Sequence, residues 1–159
     1  MKKIGKIVAA IGIPLAVGCV SALLTSDAMQ QFESLNQPPL SPPGWLFPVT
    51  WTVLYVLMGL ASYLVFDAKA VGEAAERSRR IALGLYGLQL FFNFCWSPLF
   101  FVMKQYYFAF FWLLVMWGLI LALLITAGKL DRRASILLLP YLLWTTFAGY
   151  LNIMVAILN

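Results

Sequence analysis

The sequence predicts an all-α integral membrane protein: one bundle of five transmembrane helices, with a proline-rich first loop as a lid. Three observations carry that prediction. Of 159 residues, 63% are hydrophobic and 11% charged, too apolar for a soluble domain and too long for one membrane hairpin. Five stretches, 7–26, 45–66, 81–103, 105–128 and 134–159, hold no Asp, Glu, Lys or Arg. Each supplies the roughly 20 residues that cross about 30 Å of hydrocarbon. Finally, ten of the eleven Lys and Arg fall at one set of helix ends: Lys2, Lys3 and Lys6; Lys69, Arg77, Arg79 and Arg80; Lys129, Arg132 and Arg133. Only Lys104 lies at the other. This asymmetry predicts a cell-membrane protein with its N-terminus in the cytoplasm and its C-terminus outside.

Helices are expected at about 5–26, 45–66, 80–103, 105–128 and 134–157, and residues 1–159 make one domain because little chain is left over. The net charge of +5 reads as a topology signal and not as a nucleic-acid footprint, since the basic residues sit between spans. Cys19 and Cys95 fall inside spans, where they read as small buried hydrophobes. The chain has no histidine, which removes the commonest metal ligand and general base. No metal site and no cofactor are expected.

The first helix also has the outline of a signal peptide: lysines, an apolar core and small residues. Its long apolar run and the alternation of charge across five spans favour a retained helix. Pro14 is expected to kink it, and Gly12/Ala16 and Gly18/Ala22 offer close-packing faces. After it, Ser26 or Asp27 is expected to cap a separate short helix to about Leu35. On that segment Phe32 reads as a membrane-interface anchor or a lid over the bundle.

Residues 38–55 read PPLSPPGWLFPVTWTVLY and hold five of the eight prolines. Pro38, Pro39, Pro42 and Pro43 cannot lie inside a helix and make a stiff, extended connection. Pro48 falls in the first turn of the second helix, where a missing N–H is tolerated. Trp51 and Tyr55, one turn apart, then share a face with Ser62. The charged loop 67–80 reads as a solvated turn with i,i+3 and i,i+4 pairs. In the third helix Gln89, Asn93 and Trp96 share a face, which a lipid-embedded helix normally turns inward. Pro98 is expected to kink that helix near its end. The fourth helix, with Trp112 and Trp117, reads as packing and lipid contact. In the fifth, Trp144, Ala148 and Asn152 are spaced by four, and Ala148 leaves a hollow between a bulky ring and an amide.

Three aromatic–polar faces, Trp51/Tyr55, Asn93/Trp96 and Trp144/Ala148/Asn152, would together line an apolar pocket with few polar groups. Such a pocket suits a flat hydrophobic small molecule. The runs WLFPVTWTVLY, FNFCWSPLFF and PYLLWTTFAGYLN resemble the translocator protein family, also called tryptophan-rich sensory protein or peripheral-type benzodiazepine receptor. The resemblance covers about residues 7–152. It implies five transmembrane helices, a homodimer, a pocket open toward the first loop, and binding of porphyrins, sterols and benzodiazepine-type ligands. Carried over residue by residue, it implies Trp51 and Trp144 on opposing walls, Asn93 and Trp96 on a third, Ala148 as a position where bulk disturbs binding, and Phe32 as a covering aromatic. The sequence departs from the family in having Leu40 before its Pro-Pro-Gly turn. It also lacks a basic residue after Tyr150, which leaves the sterol pattern incomplete.

The expected function is therefore a membrane receptor or transporter-like protein that binds protoporphyrin IX or benzodiazepine-type ligands. Its ligand site comprises Phe32, Trp51, Tyr55, Asn93, Trp96, Trp144, Ala148 and Asn152, the amides available to propionates or pyrrole groups, and its partners are the bilayer and a second copy. Without histidine, free-base porphyrin suits better than haem. A second reading, implied by the resemblance, is light- and oxygen-dependent porphyrin breakdown with Trp51 and Trp144 as redox partners. No acid–base pair lies within the spans to support other chemistry. A third is a structural or partner protein in which the pocket is incidental.

Overall fold

Helices α1 (Lys3–Glu33), α2 (Leu46–Asp67), α3 (Glu73–Ser97), α4 (Tyr106–Gly128) and α5 (Arg132–Leu158) account for most of the chain, with a π-helical turn at Pro98–Val102. This computed structural model describes residues 3–159, without the side chains at positions 28, 29, 31 and 32. The expected lid role of Phe32 thus lies outside the described residues. All five helices are long and apolar enough to cross a membrane.

Two boundaries differ from the sequence expectation. No break separates α1 from a capped short helix; α1 runs unbroken to Glu33. Ser26, one of the two residues expected to cap forward, bonds backward instead, its Oγ donating to Leu23 O at 3.2 Å, as neighbouring Thr25 Oγ1 donates to Ser21 O at 2.9 Å. Such back-bonding leaves the helix intact, and it ends only before Pro38. Likewise the charged 73–80 segment is not a solvated turn but the first two turns of α3. Gly72 turns the chain at φ +88°, and Glu73 and Glu76 in the first turn suit the positive end of the helix dipole.

Pro98 does not simply kink α3. Met103 N–H donates to Pro98 O at 2.9 Å, five residues back, so the helix widens into a π turn before Lys104, at φ +53°, turns the chain. At α5 the cap is Asp131, which accepts from Arg133 N.

Around the bundle each helix packs on the next in the order α1, α2, α5, α4, α3, and α3 with its π turn returns to α1. Close approach of α1 and α2 depends on glycine: a Cβ on Gly59 would stand 2.5 Å from Ile11 Cα. Met58, Met116 and Tyr141 fill the centre, none more than 1% exposed, together with the amide of Gln89. At one end Lys6 reaches Asp67 (3.9 Å), which also accepts from Tyr63 OH (3.2 Å). Arg79 donates to the Phe66 and Ala68 carbonyls and pairs with Glu76, closing the C-terminus of α2. At the opposite end the first loop is fastened to α5. Asn36 N–H donates to Asn159 Oδ1 (3.0 Å), Asn159 Nδ2 to Asn36 O (3.2 Å), and Tyr150 OH to Pro39 O (2.9 Å).

Candidate functional site

A cavity of about 330 Å³ opens at the first-loop end of the bundle. Four helices and the π turn enclose it, and each helix brings residues spaced by about one turn. From α1 come Gly18, Ser21 and Thr25; from α2, Phe47, Trp51 and Tyr55. From α3 come Asn93 and Trp96, from the turn Phe100 and Phe101, and from α5 Trp144, Ala148 and Asn152. The structure thus brings Trp51, Tyr55, Asn93, Trp96, Trp144, Ala148 and Asn152 onto one cavity. Three of the chain's six tryptophans are in its walls. Ser62, expected on the Trp51/Tyr55 face, is not; its hydroxyl bonds back to Gly59 O at 2.8 Å.

Each wall is held by a different device. Trp51 packs on Tyr55 (centroids 5.7 Å apart) and edge-on to Tyr141 (6.2 Å). Trp96 stacks on Phe100 at 5.1 Å, and its indole N–H donates to Asn152 Oδ1 at 3.1 Å. Asn152 Nδ2 in turn donates to Tyr106 O at 2.8 Å, joining α3, α4 and α5. The indole N–H of Trp144 is buried without a partner, so packing alone holds that ring, edge-on to Phe47 at 6.0 Å and against Phe147 at 5.7 Å. Ala148, 9% exposed, leaves the space between.

The polar floor lies one layer further in. Tyr55 OH donates to Asn93 Oδ1 at 2.7 Å, Asn93 Nδ2 donates to Tyr141 OH at 3.0 Å, and Tyr141 OH donates to Gln89 Oε1 at 2.9 Å. Both amides expected to meet the ligand are therefore already bonded to protein: Asn93 to two tyrosines, Asn152 to Trp96 and Tyr106. Buried amides in lipid take the partners the helices offer, and here those partners are two phenols, an indole and a backbone carbonyl. Among the described residues no charged side chain lines the cavity, and no group of acidic, His or Cys side chains could hold a metal.

Sequence reasoning missed the α1 wall and Tyr141. The small pair Gly18/Ala22 was the only sign of the first; its meaning appears once Tyr55 packs over Gly18. Tyr141 carries no sequence signal of its own. Trp112 in α4, read as plain packing, donates to Phe92 O at 2.8 Å and stacks on its ring at 4.3 Å, backing the α3 wall.

Five apolar helices around an aromatic-walled cavity at one end define a class of integral membrane bundle. The chain belongs to the TspO/MBR family, whose model matches residues 10–158. It is 40% identical to a tryptophan-rich sensory protein of Cereibacter sphaeroides over 91% of this chain and 83% of that one. It is 33% identical to the tryptophan-rich protein TspO of Chlorobaculum tepidum over 99% and 98%. With the human translocator protein it shares 35% identity over 91% and 86%. The chain is a TspO-type membrane protein of the sensory and translocator group.

Proposed function

We propose that the protein binds a flat hydrophobic tetrapyrrole such as protoporphyrin IX within a single five-helix bundle, and that occupancy of this site underlies a sensing or transport role. One observation carries the reading: Trp51, Trp96 and Trp144, from three different helices, converge on one uncharged cavity. Aromatic walls give a planar π-system large contact area with little loss of side-chain freedom. The size of the cavity falls within the roughly 300–1,000 Å³ of small-molecule sites. With no histidine in the chain, free-base porphyrin suits the site better than haem. The charge asymmetry favours a cytoplasmic N-terminus and a cavity mouth on the outer face of the cell membrane.

Titration of tryptophan fluorescence with protoporphyrin IX, haem and an unrelated amphiphile tests this. Saturable quenching by the free-base porphyrin is expected, weakened in Trp51→Phe and Trp144→Phe. Equal quenching by the amphiphile, or quenching unaffected by both substitutions, would remove the specific site.

A further inference from the structure

The cavity has a direction. Among the lining residues, Gly18 of α1, Tyr55 of α2 and Asn93 of α3 lie farthest along their helices from the first-loop end, as its deep layer; Ser26, Phe47, Pro48 and Ser97 lie nearest that end, at the mouth, and Trp144 sits between, against Phe47. The hydrogen bonds beneath the deep layer all run one way. A thioether can only accept, so Gln89 turns its Nε2 toward Met58 Sδ, at 3.8 Å. Gln89 Oε1 then faces Tyr141 and, at 2.9 Å against 3.8 Å for the weaker acceptor Met116 Sδ, takes its only hydroxyl proton. Tyr141 oxygen can thereafter only accept, so Asn93 presents Nδ2 to it. Asn93 Oδ1 is left for Tyr55, whose proton points to it. What remains at the deep end is the lone-pair side of the Tyr55 oxygen and one amide N–H of Asn93; the unpartnered indole N–H of Trp144 lies about one turn above Tyr141 on α5 and, like them, is neutral.

A carboxylate placed there would lose its water and find an acceptor oxygen and a neutral amide N–H but no cation, since among the described residues no charged side chain lines the cavity. An unpaired buried charge is the costliest group to place in such a site. The mouth differs: Ser26 is exposed, one residue from the end of the apolar span at the first-loop end of the bundle. Asp27 follows it in the chain, and Lys104, the basic residue at this end, is not among the lining residues, so a carboxylate at the mouth is kept by hydration.

We infer that a tetrapyrrole enters this cavity by its carboxylate-free edge and keeps its propionates at the mouth. Tyr141 and Gln89, which are not among the lining residues, lie behind this floor and set the direction of its hydrogen bonds. The inference rests on the tetrapyrrole reading above and adds the orientation.

Three ligands titrated into the full chain in lipid nanodiscs test it: protoporphyrin IX; its bis-amide with short ethylene glycol chains on the propionates; and deuteroporphyrin IX disulfonate, with sulfonates replacing the vinyl groups on the opposite edge. The amide should bind within about threefold of the parent compound. The disulfonate should bind at least about 100-fold more weakly, the scale set by one charge forced toward the membrane interior. If the disulfonate binds like protoporphyrin while the amide does not, the orientation is reversed and the inference is overturned. If all three bind alike, the ligand lies outside the cavity. Failure of protoporphyrin IX itself to bind saturably would instead overturn the tetrapyrrole reading, and the orientation with it.

Discussion

Gly18 of α1 lies directly against the ring of Tyr55 in α2: a methyl at position 18 would stand 2.2 Å from Cε2 and 2.7 Å from Cδ2. The close approach lets α1 wall the cavity while Tyr55 still reaches Asn93. Gly18→Ala should force the ring aside, at an overpacking cost of about 1–3 kcal/mol. Gly12→Ala, where nothing lies within 4 Å, should instead be neutral or stabilise the helix by about 0.5–1 kcal/mol. Thermal unfolding of both variants in the same detergent checks the contrast. Equal melting temperatures would mean that the α1–α2 contact is looser than described.

Tyr141→Phe keeps the ring beside Trp51 but removes the hydroxyl shared by Asn93 and Gln89. It leaves an amide N–H and an amide oxygen buried without partners, costing about 1–3 kcal/mol. Tyr150→Phe loses one exposed bond to Pro39 O and should cost at most about 0.5 kcal/mol. Chemical denaturation of the two variants against the parent decides this; a Tyr141→Phe protein as stable as the parent would remove the network from the core.

Ala148→Thr adds bulk where Trp144, Ala148 and Asn152 line the cavity. The added hydroxyl has a ready acceptor in the Trp144 carbonyl four residues back, as Thr145 Oγ1 has in Tyr141 O at 3.0 Å. Folding should survive, while overpacking of about 1–3 kcal/mol falls on the bound state, giving roughly 5- to 150-fold weaker porphyrin binding. Ala156→Thr, on the same helix but away from the cavity, should not change binding. The opposite pattern would mean that the cavity is not the binding site.

Asp131 caps α5. Its carboxylate accepts from Arg133 N at 2.8 Å and pairs with the Arg133 guanidinium at 2.8 Å. These bonds hold its pKa below the ordinary value of 3.8. The folded form thus prefers the charged carboxylate, and the stabilisation is fully present above that ordinary value and lost as pH falls through the lower folded one. Asp131→Ala should cost about 0.5–2 kcal/mol at neutral pH. The gap between parent and variant should close as pH falls through the lowered folded pKa of Asp131. A gap that persists unchanged at low pH would assign the effect to packing and not to the cap.

Much of the molecule was legible in the chain alone because the bilayer leaves few choices. Backbone groups in hydrocarbon must bond within their own segment, so long uncharged stretches become helices. Trp51/Tyr55, Asn93/Trp96 and Trp144/Ala148/Asn152 declared their faces through helical spacing. The sequence alone determined five helices, their approximate bounds and the side chains that could face inward. Tertiary structure decided what those side chains do there. Spacing shows that Asn93 and Asn152 turn inward, but not that Tyr55, Tyr141, Trp96 and Tyr106 O are close enough to use up their hydrogen bonds. Nor does it show that Ser26 bonds backward and lets α1 continue, since capping and back-bonding differ only in which backbone group lies nearer the hydroxyl. Partner choice depends on distances between helices, and those are set by packing at glycines such as Gly18 and Gly59, whose missing side chains have meaning only when another helix arrives.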